Sequence, residues 1–377
     1  MLTLILKVTN ACNLCCRYCS VGDKSETAIL SCNDLDRALD WFCSHAWETN
    51  EKKVTIILHG GEPMLVPPEQ YDRSFARMLK KYGGIQIAFR IQTNGTLLSK
   101  PYIELFHKYD FHIGISLDGS AYIHDGQRRN RAGNATYNLI VRNIQKLQSE
   151  KLPVSVLMVL TKPALTAGYE YLDLLAEREI PIKINPLLKI GEALTHDELC
   201  LEEGDYGNYL IGVHKYILER ELTVYISPLE ELQQAVIHEA VPMGCTFHGS
   251  CSYKFICINQ EGMLYPCGRF ADQHSYILGN IYKGITEEGR ELQERLNARR
   301  TVKFPEKCKE CKYIKLCYAG CSASTIGGIE QPSVMCKDYR ILFDYLYGEG
   351  LHEYKKYLLR KKREIEEMLS KYSKEYA

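Results

Sequence analysis

The arrangement of its cysteines constrains this chain more than any other feature. Eleven of the sixteen cysteines form two spaced sets, and the long stretch between the sets contains only Cys32, Cys43 and Cys200. Cysteine makes up about 4% of the chain, well below the share found in small disulfide-stabilised secreted domains. Thiols in a reducing compartment are rarely paired as disulfides. The pattern therefore favours metal or redox chemistry, and the two sets predict two domains.

The N-terminal sequence carries no signal for secretion or membrane insertion. Its only apolar run is residues 2–6, and Lys7 follows at once, so the length and the charged flank of a signal peptide are both missing. We therefore expect a cytoplasmic protein without membrane contact. Lysine plus arginine and aspartate plus glutamate both number 47, so the whole-protein charge gives no reason to expect a nucleic-acid partner.

Between the two cysteine sets, short β-branched runs alternate with longer amphipathic segments, which predicts strand–helix units and a parallel sheet. About six units precede residue 185, fewer than the eight of a complete barrel. The predicted fold class is therefore α/β, with a partial barrel of six units, a small cysteine-rich domain and a C-terminal helix. The predicted domains are residues 1–235, 240–345 and 346–377. The predicted strands are residues 4–8, 54–59, 85–92, 112–117, 154–160 and 182–185.

The first cysteine set is Cys12, Cys16 and Cys19, directly after the first predicted strand. Iron–sulfur clusters are held by closely spaced thiolates, and a short loop lets several of them converge at little cost in chain entropy. The spacing, with Tyr18 before the last cysteine, resembles the signature of the radical S-adenosylmethionine (SAM) superfamily. A tetrahedral zinc site is the alternative for these residues, and Cys15 is the alternative ligand to its neighbour.

The resemblance implies a four-iron, four-sulfur cluster whose fourth iron is chelated by the amino and carboxylate groups of SAM. Reduction of that cluster yields a 5′-deoxyadenosyl radical. It also implies cofactor contacts from motifs at or beyond the ends of the second to fourth predicted strands: Glu62 to the amino group, Ser116 to the ribose and Arg128 to the carboxylate. Turn chemistry or a solvated salt bridge is the alternative for Asn94, Asp118 and Arg128. The implied cofactor positions are Gly60, Gly61, Glu62, Asn94, Ser116 and Arg128.

The second set has eight thiols, the number that two fully ligated four-iron clusters need. Its spacing is similar to the SPASM domain of radical SAM enzymes that mature peptides and proteins, and this similarity implies three clusters in all. A zinc site within residues 308–321 is the alternative, and Cys257, like the cysteines between the sets, is expected to be packed and inert. The implied ligands are Cys245, Cys251, Cys267 and Cys321 for one cluster, and Cys308, Cys311, Cys317 and Cys336 for the other.

Among such enzymes, the architecture most resembles that of the anaerobic sulfatase-maturating enzymes. Those enzymes carry an aspartate, proposed as general base, directly after the third cysteine of the first auxiliary cluster, whereas Gly268 follows Cys267 here. Because deprotonating a substrate side chain needs a positioned acceptor, we expect instead a maturase that modifies or crosslinks a ribosomally made precursor peptide. The alternatives are a sulfatase maturase with a relocated base and a non-catalytic iron–sulfur electron-transfer protein. The catalytic residue itself is not identified.

The expected partners follow from this chemistry. They are a peptide or protein substrate and a reductant such as flavodoxin or ferredoxin. A separate leader-recognition protein is also expected as a possible partner, since no recognition domain precedes the first predicted strand. The lysine- and glutamate-rich segment 354–376 is expected to be a solvated docking helix.

Overall fold

The computed structural model describes residues 1–21, 28–242 and 244–375, with side chains as far as residue 363. The strands in this part of the chain are β1 (Leu2–Lys7), β2 (Lys53–His59), β3 (Gln86–Thr93), β4 (His112–Ser116), β5 (Val154–Leu160), β6 (Ile182–Pro186), β7 (Ile226–Ser227), β8 (Phe255–Ile258), β9 (Met263–Tyr265), β10 (Gly279–Asn280) and β11 (Gly284–Ile285).

The α-helices of the same ranges connect and cover these strands. They are α1 (Cys32–Glu48), α2 (Pro68–Lys81), α3 (Lys100–Lys108), α4 (Ala121–Gln127), α5 (Tyr137–Ser149), α6 (Tyr171–Glu177), α7 (Asp205–Glu219), α8 (Leu229–Ile237), α9 (Cys251–Lys254), α10 (Glu287–Thr301), α11 (Glu306–Lys309), α12 (Ile314–Cys317), α13 (Cys336–Tyr347) and α14 (Glu349–Glu375).

One sheet contains all of these strands, in the order β11-β10-β9-β8-β1-β2-β3-β4-β5-β6-β7. Neighbours from β1 to β7 are parallel and follow chain order, so each connection crosses over one face of the sheet, as in repeated strand–helix units. β7 ends the sheet without pairing with β1, so the parallel unit is open. The predicted α/β fold with an incomplete parallel barrel is confirmed.

The core lies between the sheet and its covering helices. Leu4 and Leu6 of β1 are fully buried together with Phe42 of α1 and Phe75 of α2. Burying one such side chain stabilises the fold by about 1.5–3 kcal/mol. These contacts fix the positions of the first strands, and hence of the loops at their carboxyl ends.

The C-terminal region joins the same sheet. β8 lies parallel to β1, with Thr3 opposite Phe255 and Leu6 opposite Ile258, while β9 to β11 continue as antiparallel strands. The predicted limits at residues 235 and 345 fall inside α8 and α13, so the division into domains stays a prediction.

The C-terminal helical segment consists of α13 and α14. The end of the predicted docking helix, at Tyr376, lies outside the described residues. Within the described ranges, no helix combines the length and the apolar character needed to cross a bilayer.

Candidate metal and cofactor site

The two glycines after β2 bring their loop against the loop that carries the first cysteine set. Gly61 donates its amide hydrogen to Thr9 O (2.7 Å) and Glu62 donates to Ala11 O (2.8 Å). A β-carbon at Gly61 would lie 2.1 Å from Ala11 O, and Gly60 has a φ of +130°. Both positions therefore require glycine. The close approach that they permit is to the cysteine loop of this chain.

Glu62 links β2 to β3 through a buried carboxylate. It accepts hydrogen bonds from the amides of Met64 (2.9 Å) and Asn94 (2.8 Å) and from Thr93 Oγ1 (2.7 Å). Burial raises the pKa of Glu62, and these donors oppose the shift. A carboxylate can accept about four hydrogen bonds, so Glu62 can accept one more. The carboxylate is close enough to the Cys12 thiol for its charge to raise the pKa of that thiol.

Asn94 lies at the cysteine loop as well. Its side-chain nitrogen donates to Asn13 Oδ1 (2.9 Å) and lies 3.7 Å from Cys12 Sγ, while its oxygen accepts from the Thr96 amide. Ser116, the last residue of β4, accepts instead from Gln92 Nε2 on β3 (3.1 Å). The structure thus brings Asn94 to the first cysteine set, whereas Ser116 bonds to a side chain of the neighbouring strand β3.

Arg128 is held next to Cys16 by a buried ion pair. Its Nε donates to Asp118 Oδ2 (2.8 Å), its Nη1 lies 3.8 Å from Cys16 Sγ, and its guanidinium stacks over the Tyr18 ring. Tyr18 donates its hydroxyl hydrogen to Asp118, and the side-chain nitrogen of Gln127 also donates to this carboxylate. Burial opposes ionisation of Asp118, but the Arg128 charge holds its pKa below the usual value. Arg128 and Asp118 thus form a salt bridge, as one alternative for these residues predicted, but the salt bridge is buried and not solvated.

The thiols of the first set share one environment. Burial, together with the nearby Glu62, Cys16 and Cys19, raises the pKa of Cys12 to about 12. Cys15 is exposed, and its amide donates to Arg129 O (2.8 Å). Metal binding to the set would displace thiol protons, because thiolates are the ligands.

The eight thiols of the second set separate into two groups of four. The Cys267 thiol has the thiols of Cys321, Cys251 and Cys245 as neighbours, and burial raises its pKa. The Cys317 thiol has Cys336, Cys308 and Cys311 as neighbours, and burial raises its pKa to about 12. We call these groups the inner group (Cys245, Cys251, Cys267 and Cys321) and the outer group (Cys308, Cys311, Cys317 and Cys336).

A cavity of about 470 Å³ is lined by all four thiols of the outer group, together with Tyr313 and Phe343. A tetrahedral zinc site needs its sulfur atoms within about 2.3 Å of one ion. Among the described residues, no three cysteine, histidine, aspartate or glutamate side chains converge closely enough to hold a single metal ion. The four thiols of the outer group thus share the lining of one cavity.

A left-handed turn places Cys317 in the outer group and Cys321 in the inner group. The three residues 318–320 between them have φ of 49°, 58° and 70°. Two consecutive buried arginines at the end of α10 bind all three carbonyl oxygens of this turn: Arg300 binds residue 318, and Arg299 binds residues 319 and 320.

Arginines also supply charge to the inner group. Arg300 Nη1 lies 3.0 Å from Cys251 Sγ. Burial opposes ionisation of the Cys321 thiol, yet Arg269 and Arg300 together hold its pKa below the usual value. Sequence reasoning missed Arg299 and Arg300, since the polar pattern of α10 does not mark them as buried, and it missed Arg269, which lies in the loop after Cys267.

The residue after Cys267 packs against β1. A β-carbon at Gly268 would lie 3.2 Å from Ile5 Cγ2. Asp272, the first carboxylate along the chain after Cys267, pairs with the buried Lys7 and accepts from Asn259 Nδ2 (3.1 Å). Sequence reasoning also missed this pair, which long-range packing alone brings together.

The remaining cysteines divide by burial. Cys43 and Cys257 are fully buried, and burial raises the pKa of each to about 12, as expected for packed thiols. Cys32 and Cys200 were also expected to be packed, but both are partly exposed.

Comparison with known proteins agrees with this architecture. Residues 6–164 match the family model of the radical SAM superfamily. The cysteine-type anaerobic sulfatase-maturating enzyme of Clostridium novyi (strain NT) is 26% identical over 361 residues, 90% of this chain and 94% of that protein. The serine-type enzyme of Klebsiella pneumoniae is 24% identical over 327 residues, 85% of this chain and 81% of that protein.

Two solved structures share the fold. Native anSMEcpe with bound AdoMet and Cp18Cys peptide superimposes with a TM-score of 0.79 and 21% identity, covering 93% of this chain and 98% of that chain. Streptococcus suis SuiB bound to precursor peptide SuiA superimposes with a TM-score of 0.65 and 18% identity, covering 89% and 75%. Residues 6–164 therefore match the radical SAM superfamily, and along most of its length the chain is similar to the anaerobic sulfatase-maturating enzymes.

Proposed function

We propose that this enzyme holds three four-iron, four-sulfur clusters and oxidatively modifies a ribosomally made precursor peptide, closing a thioether or carbon–carbon crosslink. The observation that carries the proposal is the division of eleven thiols into one group of three and two groups of four. Eight thiolates satisfy two complete clusters, and three leave one iron of a third cluster open to a cofactor.

The residues around the first set suit SAM as that cofactor. Glu62 has capacity for a donor such as the cofactor's amino group. Arg128, fixed by Asp118, can donate to its carboxylate through the planar guanidinium. When bound, the cluster and SAM supply a radical that abstracts hydrogen, and the auxiliary clusters accept the electron released as the substrate bond forms.

Two features support a peptide crosslink over formylglycine formation. Gly268 stands where the related enzymes are expected to carry their aspartate, and a β-carbon there would lie 3.2 Å from Ile5 Cγ2, so a side chain would require Ile5 to shift. SuiB, a structure with the same fold, binds a precursor peptide.

Sulfatase maturation is the second candidate, because the similarity to those enzymes spans 94% of the Clostridium novyi protein. Asp272 would be its relocated base. It is the first carboxylate along the chain after Cys267, and a general base of this reaction has to accept a proton from the substrate.

Anaerobic reconstitution followed by iron and sulfide analysis tests the cluster count, and about twelve irons per chain are expected. Iron near four per chain, or zinc in place of iron, would contradict it. The loaded enzyme is then given SAM, dithionite and either a precursor peptide encoded beside its gene or a sulfatase-derived peptide.

Mass spectrometry separates the candidates. A crosslinked precursor that has lost two hydrogens supports the first function, and formylglycine in the sulfatase peptide supports the second. Clusters without any deoxyadenosine would identify a non-catalytic electron-transfer protein. A cytoplasmic location, a flavodoxin or ferredoxin reductant and a leader-recognition protein stay predictions.

A further inference from the structure

Exposed lysines are concentrated in the segment that carries Cys308 and Cys311 of the outer group. Residues 303–315 contain five lysines and two glutamates, and all seven side chains are exposed. The whole chain has no net charge, so this excess is local. Such a local field acts on partners that approach this face, within about a Debye length of 8–10 Å. We call Lys303, Lys307, Lys309, Lys312 and Lys315 the lysine patch.

This charge is partly balanced by Glu306, Glu310 and Asp344, and an excess of positive charge is left. Lys309 pairs with Glu306, and Lys312 pairs with Asp344 (2.7 Å), both in exposed positions. Within the described part of the chain, the three other lysines of the patch make no ion pair. The surface around the outer group is therefore positive and available to an acidic partner.

The patch also borders the cavity of the outer group. Lys307 and Lys312 line that cavity together with Arg340. Lys307 and Arg340 lie close enough to the Cys336 thiol to act on its charge. A partner seated on the patch would face the outer group directly.

The outer group lies on the route from the inner group to this surface. The two groups are joined by the turn between Cys317 and Cys321, and the buried Tyr339 lies close to both of these thiols. Arg300 acts on both Cys317 and Cys321. An electron that reaches the inner group can thus leave the protein through the outer group.

We propose that the lysine patch is the docking surface for a small acidic redox protein carrying a flavin or iron–sulfur centre. This rests on the proposed function, in which the outer group holds a cluster. One electron passes from the reduced cluster to the oxidised partner, so the cluster is oxidised by one electron and the partner is reduced by one. The glutamates within the patch favour a protein, which presents both charge signs, over a nucleic acid, whose phosphates they would repel.

The test uses the reconstituted holoenzyme and an acidic flavodoxin as the probe. In the patch variant, the unpaired lysines are neutralised by Lys303→Gln, Lys307→Gln and Lys315→Gln. A matched control carries Lys53→Gln, Lys80→Gln and Lys146→Gln, which remove the same charge from exposed positions of the parallel unit.

Flavodoxin affinity and the stopped-flow rate of electron transfer from reduced enzyme to flavodoxin are measured at low and high salt. We expect the patch variant to lose about tenfold in both at low salt and most of their salt dependence, while the control stays within about twofold of wild type. Equal losses in the two variants, or none in the patch variant, would overturn the proposal. So would a DNA oligonucleotide that binds the patch more tightly than flavodoxin does.

Iron content and dithionite-driven deoxyadenosine formation are measured on every protein. If iron is missing from wild type, the proposed function fails. If iron and deoxyadenosine are normal and flavodoxin binding ignores the patch, only the docking proposal fails.

Discussion

The substitution Arg299→Lys tests whether the buried arginines hold the turn between the two thiol groups. Arg299 donates to the carbonyl oxygens of residues 319, 320, 329 and 331 and to Ser322 Oγ, from a position that is 3% exposed. Lysine keeps the positive charge but has three donors on one nitrogen in place of a planar fork of five. The comparison therefore separates hydrogen-bond geometry from charge.

The expected loss follows from the number of acceptors left without a donor. An ammonium group at this position can reach about two of the five acceptors, so about three buried oxygens lose their partner. Each costs roughly 1–3 kcal/mol, and partial relaxation brings the total to about 3–5 kcal/mol. Tyr318 and Ala319 add to the instability, because a left-handed conformation costs roughly 1–2 kcal/mol for a residue with a β-carbon.

The assay is urea-induced unfolding of the reconstituted enzyme by circular dichroism, with iron measured per chain. Arg295→Lys is the matched control, since Arg295 lies on the same helix but is 64% exposed and pairs with an exposed Glu330. We expect that control to change stability by less than about 1 kcal/mol. If Arg299→Lys lowers the urea midpoint and iron content no more than Arg295→Lys does, the turn does not depend on the guanidinium.

Three further predictions concern the first cysteine set and its surroundings. Asp118→Asn leaves Arg128 as a buried charge without a counter-ion, so the free energy of unfolding in urea falls by about 3–5 kcal/mol. Gly61→Ala forces apart the glycine and cysteine loops and lowers SAM affinity in equilibrium dialysis at least tenfold, whereas Gly126→Ala, where a β-carbon meets nothing, leaves it unchanged. Burial lowers the pKa of His124 to about 4, so unfolding takes up a proton between about pH 6.5 and 4; stability falls as pH drops through that window, and the fall is smaller in His124→Gln.

Each of these outcomes has a result that would contradict it. For the Arg128–Asp118 pair, the exposed Lys189–Asp197 pair serves as the reference. If Asp197→Asn lowers the free energy of unfolding as much as Asp118→Asn does, burial of the Asp118 pair does not matter for stability. Normal SAM binding by Gly61→Ala would show that the loop contact is not needed for the cofactor. An unchanged pH dependence of urea unfolding in His124→Gln would assign the acid sensitivity to other groups.

The parallel unit was largely predictable from the sequence because its strands and helices follow simple periodicities. β5 begins and ends at the predicted residues, and the other five predicted strands differ from the observed bounds by one or two residues at an end. The strand-end motifs at Gly60 and Asn94 lie beside the cysteine loop for the same reason: adjacent parallel strands end at one edge of the sheet.

The connections between distant segments were not predictable. α10 has no apolar face, because its buried side chains include Gln293, Arg299 and Arg300, so hydrophobic periodicity gives no signal. The ion pair of Lys7 with Asp272 joins residues far apart in the chain, and no local pattern specifies it. The resemblance to the SPASM domain implied how the eight thiols divide into groups, but the arginines beside these groups depend on tertiary packing.

The parallel pairing of β8 with β1 has a consequence for biosynthesis. The ribosome completes β1 roughly 250 residues before it completes β8, an interval of tens of seconds at about 5–20 residues per second. Throughout that interval one side of β1 has unpaired amide and carbonyl groups, which is the condition that favours intermolecular strand pairing. Premature termination before Phe255 would make the condition permanent, so we expect truncated chains to aggregate and nascent chains to depend on chaperones until β8 emerges.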